Sequence, residues 1–164
     1  MEAVPVRSLL IPCRDRMHFP AIRKVALGAL IHRGRLTRGD LLGFGDYSLE
    51  EADLSACDLE DITESAFESS PSLKSLQLSN NRIWRLERGA FKPIGRSLQT
   101  LDLSNGLRMR NLLCEHLFDD LHSLLNLNLM SNDIESMSDP NDCFKNLIQL
   151  KVLIMDFNSL RTIS

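Results

Sequence analysis

The chain has 164 residues, 43% of them apolar, and a formal net charge of −3. That is ordinary for a soluble chain and enough for one domain with a substantial core. No apolar run reaches the roughly eighteen residues of a membrane helix, so no membrane span is written here.

Residues 1–21, interrupted by Pro5, Pro12 and Pro20, are expected to be irregular. The apolar stretch at the start is broken by Pro5, Arg7 and Pro12, and nothing after it resembles a signal-peptide cleavage site. Met17 offers another start. Charge is uneven: residues 1–48 carry eight Lys/Arg against four Asp/Glu, and the remainder eleven against eighteen. The basic stretch (Arg7, Arg14, Arg16, Arg23, Lys24, Arg33, Arg35, Arg38) lacks interleaved aromatics and regular spacing. It reads as a solvated or poorly ordered segment, and no nucleic-acid partner is expected. The apolar residues 25–31 read as a buried strand. Ile22, Val25 and Leu27 mimic the strand pattern seen downstream, and Leu42 and Phe44 precede Leu49. Residues 22–48 are therefore read as a degenerate N-terminal repeat, loosened by Gly34, Gly39, Gly43 and Gly45.

From Leu49 a phrase returns: leucine, two residues, leucine, one residue, leucine, two residues, asparagine. It is clearest as Leu73, Leu76, Leu78, Asn81 and as Leu124, Leu127, Leu129, Asn132, with a third copy Leu150, Leu153, Met155, Asn158. Anchoring leucines fall at Leu49, Leu73, Leu98, Leu124 and Leu150, at spacings of 24, 25, 26 and 26. A fixed period of this size marks a stacked repeat architecture. Each unit opens with a short strand whose inner leucines point inward, and period-two alternation sends the residues between them to the opposite face. Two apolar residues then follow: Leu59 and Ile62, Ile83 and Leu86, Ile134 and Met137, Leu160 and Ile163. A phenylalanine closes each return (Phe67, Phe91, Phe118, Phe144), and stacked phenylalanines are expected along the back as ordinary core.

The asparagines have a specific task. Where the strand ends, the backbone turns sharply and strands its amide groups. An Asn side chain both donates and accepts, so Asn81, Asn132 and Asn158 tie one turn to its neighbour. Cys57 fills that slot in the first unit as a weaker donor. The third unit has Gly106 there, beside Asn105, and its following apolar residues Met109 and Leu112 fall one place late. One inserted residue explains both facts, with a bulge or distorted turn near Gly106 and with Arg108 and Arg110 turned outward.

The run Leu73-Lys74-Ser75-Leu76-Gln77-Leu78-Ser79-Asn80-Asn81-Arg82-Ile83, with Gly89-Ala90-Phe91 behind it, resembles the "typical" subfamily of leucine-rich repeats. The resemblance covers residues 49–164 strongly and 22–48 weakly. It implies an α/β leucine-rich-repeat solenoid: a curved right-handed coil with a parallel β-sheet on the concave face and an irregular, 3-10 or short-helical convex side. That subfamily includes Toll-type receptor ectodomains, chaoptin-like adhesion proteins and Slit-like guidance proteins. The resemblance thus implies a non-enzymatic recognition module at the cell surface or outside the cell, with a protein ligand or receptor partner. This sequence departs from the extracellular pattern in lacking a signal peptide, paired capping cysteines and any Asn-x-Ser/Thr acceptor. The chain stops at Ser164 inside a repeat, so it is expected to be a piece of a longer protein. An uncapped end exposes the core of its last coil and invites self-association.

Cys57 and Cys143 occupy small slots in the repeat register and read as packed thiols. Cys13 and Cys114 have no such slot. A Cys114–Cys143 bridge between neighbouring coils is the alternative, although the two stand sixteen and nineteen residues from their anchoring leucines. His18, His32, His116 and His122 are scattered, and no Cys/His pair has zinc spacing, so neither metal nor cofactor is expected. Glu50, Glu51 and Asp53 lie close together, but on an open strand start they form no water-excluded pocket. Nothing resembles a nucleophile elbow or a phosphate loop, and no catalytic residue is assigned.

The strand register writes down the concave face. One column reads Glu51, Ser75, Thr100, Asn126, Val152; the next reads Asp53, Gln77, Asp102, Asn128, Ile154; the third reads Ser55, Ser79, Ser104, Met130, Asp156. The face is acidic at its start, amide-rich in the middle and apolar at its end, where Val152, Ile154 and Phe157 cluster. In one reading Glu51, Asp53, Gln77, Thr100, Asp102, Asn126 and Asn128 are a polar approach to that apolar anchor in a protein interface. In the other, the polar residues solvate an open sheet and the apolar patch packs on further repeats. An intracellular scaffold, or a solenoid segment that mediates assembly, is the alternative to a receptor or adhesion module.

Overall fold

The computed structural model describes residues 23–26, 34–37, 48–109, 111–112, 117–137 and 143–163. Twelve short strands follow one another in these segments: β1 (Lys24–Ala26), β2 (Arg35–Leu36), β3 (Glu51–Asp53), β4 (Asp61–Ile62), β5 (Ser75–Gln77), β6 (Arg85–Leu86), β7 (Thr100–Asp102), β8 (Asn111–Leu112), β9 (Asn126–Asn128), β10 (Ser136–Met137), β11 (Val152–Ile154) and β12 (Thr162–Ile163). The odd strands form one six-stranded parallel sheet in the order β1-β3-β5-β7-β9-β11. The even strands form two smaller parallel sheets, β2-β4-β6 and β8-β10-β12, on the returns. Every coil thus passes once through the large sheet and once through a return, which is a solenoid.

Pairing is in register from rung to rung: Ala52 lies opposite Leu76, Leu76 opposite Leu101, Leu101 opposite Leu127 and Leu127 opposite Leu153. Ala52, Leu76, Leu101 and Leu127 are at most 1% exposed, whereas Leu153, on the edge strand β11, is 40% exposed. Leu54, Leu78, Leu103 and Leu129 make a second sealed column. Each fully buried leucine contributes about 1.5–3 kcal/mol relative to exposure, and only stacked neighbours supply that burial. Within residues 22–48, β1 pairs with β3 through Lys24–Glu51, Val25–Ala52 and Ala26–Asp53. Ile22, Leu27, Leu42, Phe44 and most of 25–31 lie outside the described residues.

A left-handed residue makes each turn off the large sheet. Seven residues after each anchoring leucine, Ala56, Asn80, Asn105, Ser131 and Phe157 hold φ of 53°, 56°, 48°, 56° and 56°. Asn adopts this region at low cost, and a bulky aromatic does so under strain.

The third coil corrects the expected insertion. The residue that takes the place of Ile83 is Leu107, fully buried and bridged in parallel to it. Met109 is only half-buried at the margin of the core. The turn is therefore one residue shorter than its neighbours, and the extra length lies in the return before Leu112, which does pair opposite Met137. Gly106 permits the short turn: a Cβ there would stand 2.8 Å from the Leu78 carbonyl oxygen and 3.0 Å from that of Leu103. Arg108 is exposed as expected, and Arg110 lies outside the described residues. The altered return also interrupts the aromatic spine. Phe67 stacks on Phe91 at 6.0 Å, and Phe118, on the irregular coil itself, stacks on Phe144 at 6.1 Å, so the break falls between Phe91 and Phe118.

Cys143 also differs from expectation. It is buried as the register demands, but it is disulfide-bonded rather than a packed thiol, with its partner outside the described residues. Cys57 is buried and not part of a disulfide. Cys13, Cys114, His18, His32 and His116 lie outside the described residues.

Candidate partner-binding face

The turn at the end of each strand fixes the face. The Asn81 side-chain oxygen accepts hydrogen bonds from the backbone N–H groups of Cys57 (3.1 Å) and Leu59 (2.9 Å), while its amide donates to the carbonyls of Leu54 (3.0 Å) and Leu78 (2.7 Å). Asn132 accepts from Gly106 (3.0 Å) and Leu107 (2.8 Å) and donates to Leu129 (2.9 Å). Asn158 accepts from Asn132 (3.0 Å) and Ile134 (3.1 Å) and donates to Leu129 (2.9 Å) and Met155 (2.8 Å). In each of these three coils one side chain thus satisfies its own turn and the turn before it. The Cys57 thiol donates a weak bond to the Ser55 carbonyl, at 3.5 Å.

The first two expected columns stand in register on the large sheet. Glu51, Ser75, Thr100, Asn126 and Val152 are successive partners, as are Asp53, Gln77, Asp102, Asn128 and Ile154. Lys24 extends the first column. It lies 2.6 Å from Glu51, and that hydrogen bond and charge, followed by the more distant Asp53, raise the lysine above its usual range. Small side chains lace neighbouring rungs: Ser79 donates to Ser55 at 3.0 Å and Asn126 reaches Thr100 at 3.4 Å.

Three of the expected contact residues also serve the fold. Asp53 accepts from the Ser55 N–H (3.0 Å), Asp102 from the Ser104 N–H (2.8 Å) and Asn128 from the Met130 N–H (3.0 Å). Each is a side-chain turn that stiffens the strand exit. Glu51 is exposed, and Gln77, Thr100 and Asn126 are half-exposed without such a task. At the apolar end Val152 is 44% exposed and Ile154 half-buried. Phe157, 81% exposed, stands on the turn beyond β11 rather than on the strand. The face therefore combines carboxylates that are already engaged, half-exposed amides and an apolar end.

Among the described residues, no group of three His, Cys, Asp or Glu is placed to hold a metal ion, and no helix is long and apolar enough to cross a membrane. An open depression of about 840 Å³ on the returns is lined by Glu64, Glu68, Asp119 and Asp120 together with Arg88 and Lys92, so carboxylates outnumber cations there. Sequence reasoning passed over Trp84, which is 59% exposed. Its signal was its outward place next to Ile83.

The leucine rich repeat profile matches residues 48–107 and, overlapping, 71–134, more than half of the chain. The chain belongs to the leucine-rich-repeat family. It is 46% identical over 57 residues to the human protein "Leucine-rich repeats and immunoglobulin-like domains protein 1", a match that covers 35% of this chain and 5% of that protein. A chain in the crystal structure of the TLR13–ssRNA13 complex superposes with a TM-score of 0.64 at 23% identity, over 87% of this chain and 22% of that one. At that identity the likeness concerns the fold. The leucine-rich-repeat chain described here spans a small part of both proteins.

Proposed function

We propose that this leucine-rich-repeat chain is a non-enzymatic protein-recognition module that engages a protein partner on its large parallel sheet, as part of a cell-surface receptor or adhesion protein. The reading rests on one observation: a rigid row of outward side chains, sealed behind by leucines, that passes from carboxylates to Val152, Ile154 and Phe157. A polar approach beside an apolar anchor suits a protein interface. Extracellular placement draws support from the disulfide at Cys143, since such bonds persist in oxidising compartments. The TLR13 chain is named with an ssRNA; here Asp53 and Asp102 face outward while Lys24 is already paired with Glu51, which disfavours a polyanion.

The test is affinity capture with the whole chain from medium conditioned by the source cells. Thr100→Arg/Asn126→Arg and Val152→Asp are the comparisons, because none of these side chains holds a turn. A specific partner is expected with the wild-type chain and is lost with variants whose melts are unchanged. Equal recovery by all three contradicts the reading. A second reading, assembly through the terminal coil, is favoured by the exposed Leu153 and Leu160, 40% and 37% accessible. It predicts that Leu160→Lys, away from the sheet, abolishes association.

A further inference from the structure

The flank beyond the sheet carries a pattern that the concave face does not use. Leu107 is bridged to Ile83, and alternation around that bridge buries both while sending Trp84 and Arg108 outward on adjacent coils. Trp84, the one tryptophan of the chain, is 59% exposed and contributes nothing to the core. On the coil before it stand Asp58 and Glu60. Arg82 bridges both, at 2.8 Å and 3.6 Å, so two carboxylates share one guanidinium and leave a net negative charge. On the coil after it, Arg108 has no carboxylate within ion-pair distance among the described residues; its guanidinium reaches only its neighbour's carbonyl, at 3.4 Å. In coil order the flank therefore reads negative, aromatic, positive, in steps of about 4.8 Å.

We propose that this flank docks a second copy of the same chain about a two-fold axis through Trp84. Such an axis reverses the coil order. It sets Arg108 of each copy against Asp58 and Glu60 of the other, twice over, with the two Trp84 rings packed together at the centre. A two-fold contact uses the same patch on both copies, so the patch must complement itself. Side-by-side packing with coils running the same way opposes Arg108 to Arg108 and Asp58 to Asp58, which charge repulsion disfavours. Tryptophan and arginine at the middle of a patch are the residue types that carry most interface energy. The proposal does not depend on what the concave face binds.

Sedimentation equilibrium of the whole chain tests it, with Trp84 emission as a second readout because the chain holds no other tryptophan. The wild type is expected to dimerise, with emission shifting to the blue as concentration rises. Trp84→Ser and Arg108→Glu should each raise the dimer dissociation constant about tenfold or more, consistent with a central hot spot. The swap Glu60→Arg/Arg108→Glu should recover most of that loss, and Leu160→Lys on the last described coil should have no effect. A chain that stays monomeric overturns the proposal. So does a dimer indifferent to Trp84→Ser but dissolved by Leu160→Lys, or a swap that recovers nothing.

Discussion

Asn132 is the residue on which the stack leans most visibly. It is 1% exposed, accepts two backbone N–H groups from the previous coil and donates within its own turn. Asn132→Leu strands those groups and is expected to lower stability by about 1–3 kcal/mol in a denaturant melt. An unchanged midpoint contradicts the assigned role. Gly106→Ala is expected to destabilise by a similar roughly 1–3 kcal/mol, because its Cβ meets fixed carbonyls rather than a flexible side-chain end. Phe157 works in the opposite sense. It holds a left-handed φ of 56° with its ring 81% exposed, so strain is not repaid by burial. Phe157→Asn should raise the melting midpoint, by an amount worth about 1 kcal/mol. The asparagine slots were legible because spacing alone defines them. Trp84 was passed over because the pattern is built from buried residues, and it stands outward between Ile83 and Leu86.

At the scale of the element, the third coil shows where sequence register runs out. Leu107 and Met109 are both apolar and lie two residues apart, so spacing offers either for the inward place. The choice falls to the cross-coil bridge with Ile83, which places Leu107 in the core. The same limit applies to Cys143. Its buried slot was legible, but a slot that suits a packed thiol suits a disulfide sulfur equally, and only the neighbouring return decides. We expect the partner to be Cys114. Non-reducing peptide mapping should join the two peptides, and reduction should lower the thermal midpoint by an amount worth about 2–4 kcal/mol. A free thiol at Cys143 contradicts both statements.

At the scale of the molecule, stability is a sum of rungs, each sealed by its neighbours. Leu101, enclosed on both sides, and Leu153, 40% exposed at the end, are the same residue in the same slot of different coils. Leu101→Ala should cost about 2–5 kcal/mol and Leu153→Ala far less. Equal losses in urea would mean that the coils do not stack in this order. The overall architecture was legible from period alone, since leucines spaced as in residues 73–78 and 124–129 leave a strand only one way to face. What a concave residue contacts is different in kind. Asp102 reads as a free carboxylate in sequence, but its backbone bond to Ser104 becomes visible only when the turn is built. The most direct measurement is a set of backbone NOEs between strands in the isotopically labelled chain. In-register parallel contacts should link Leu76 to Leu101, Leu101 to Leu127 and Leu127 to Leu153; a one-residue slip or an antiparallel pattern at any of these steps would contradict the stacked coil.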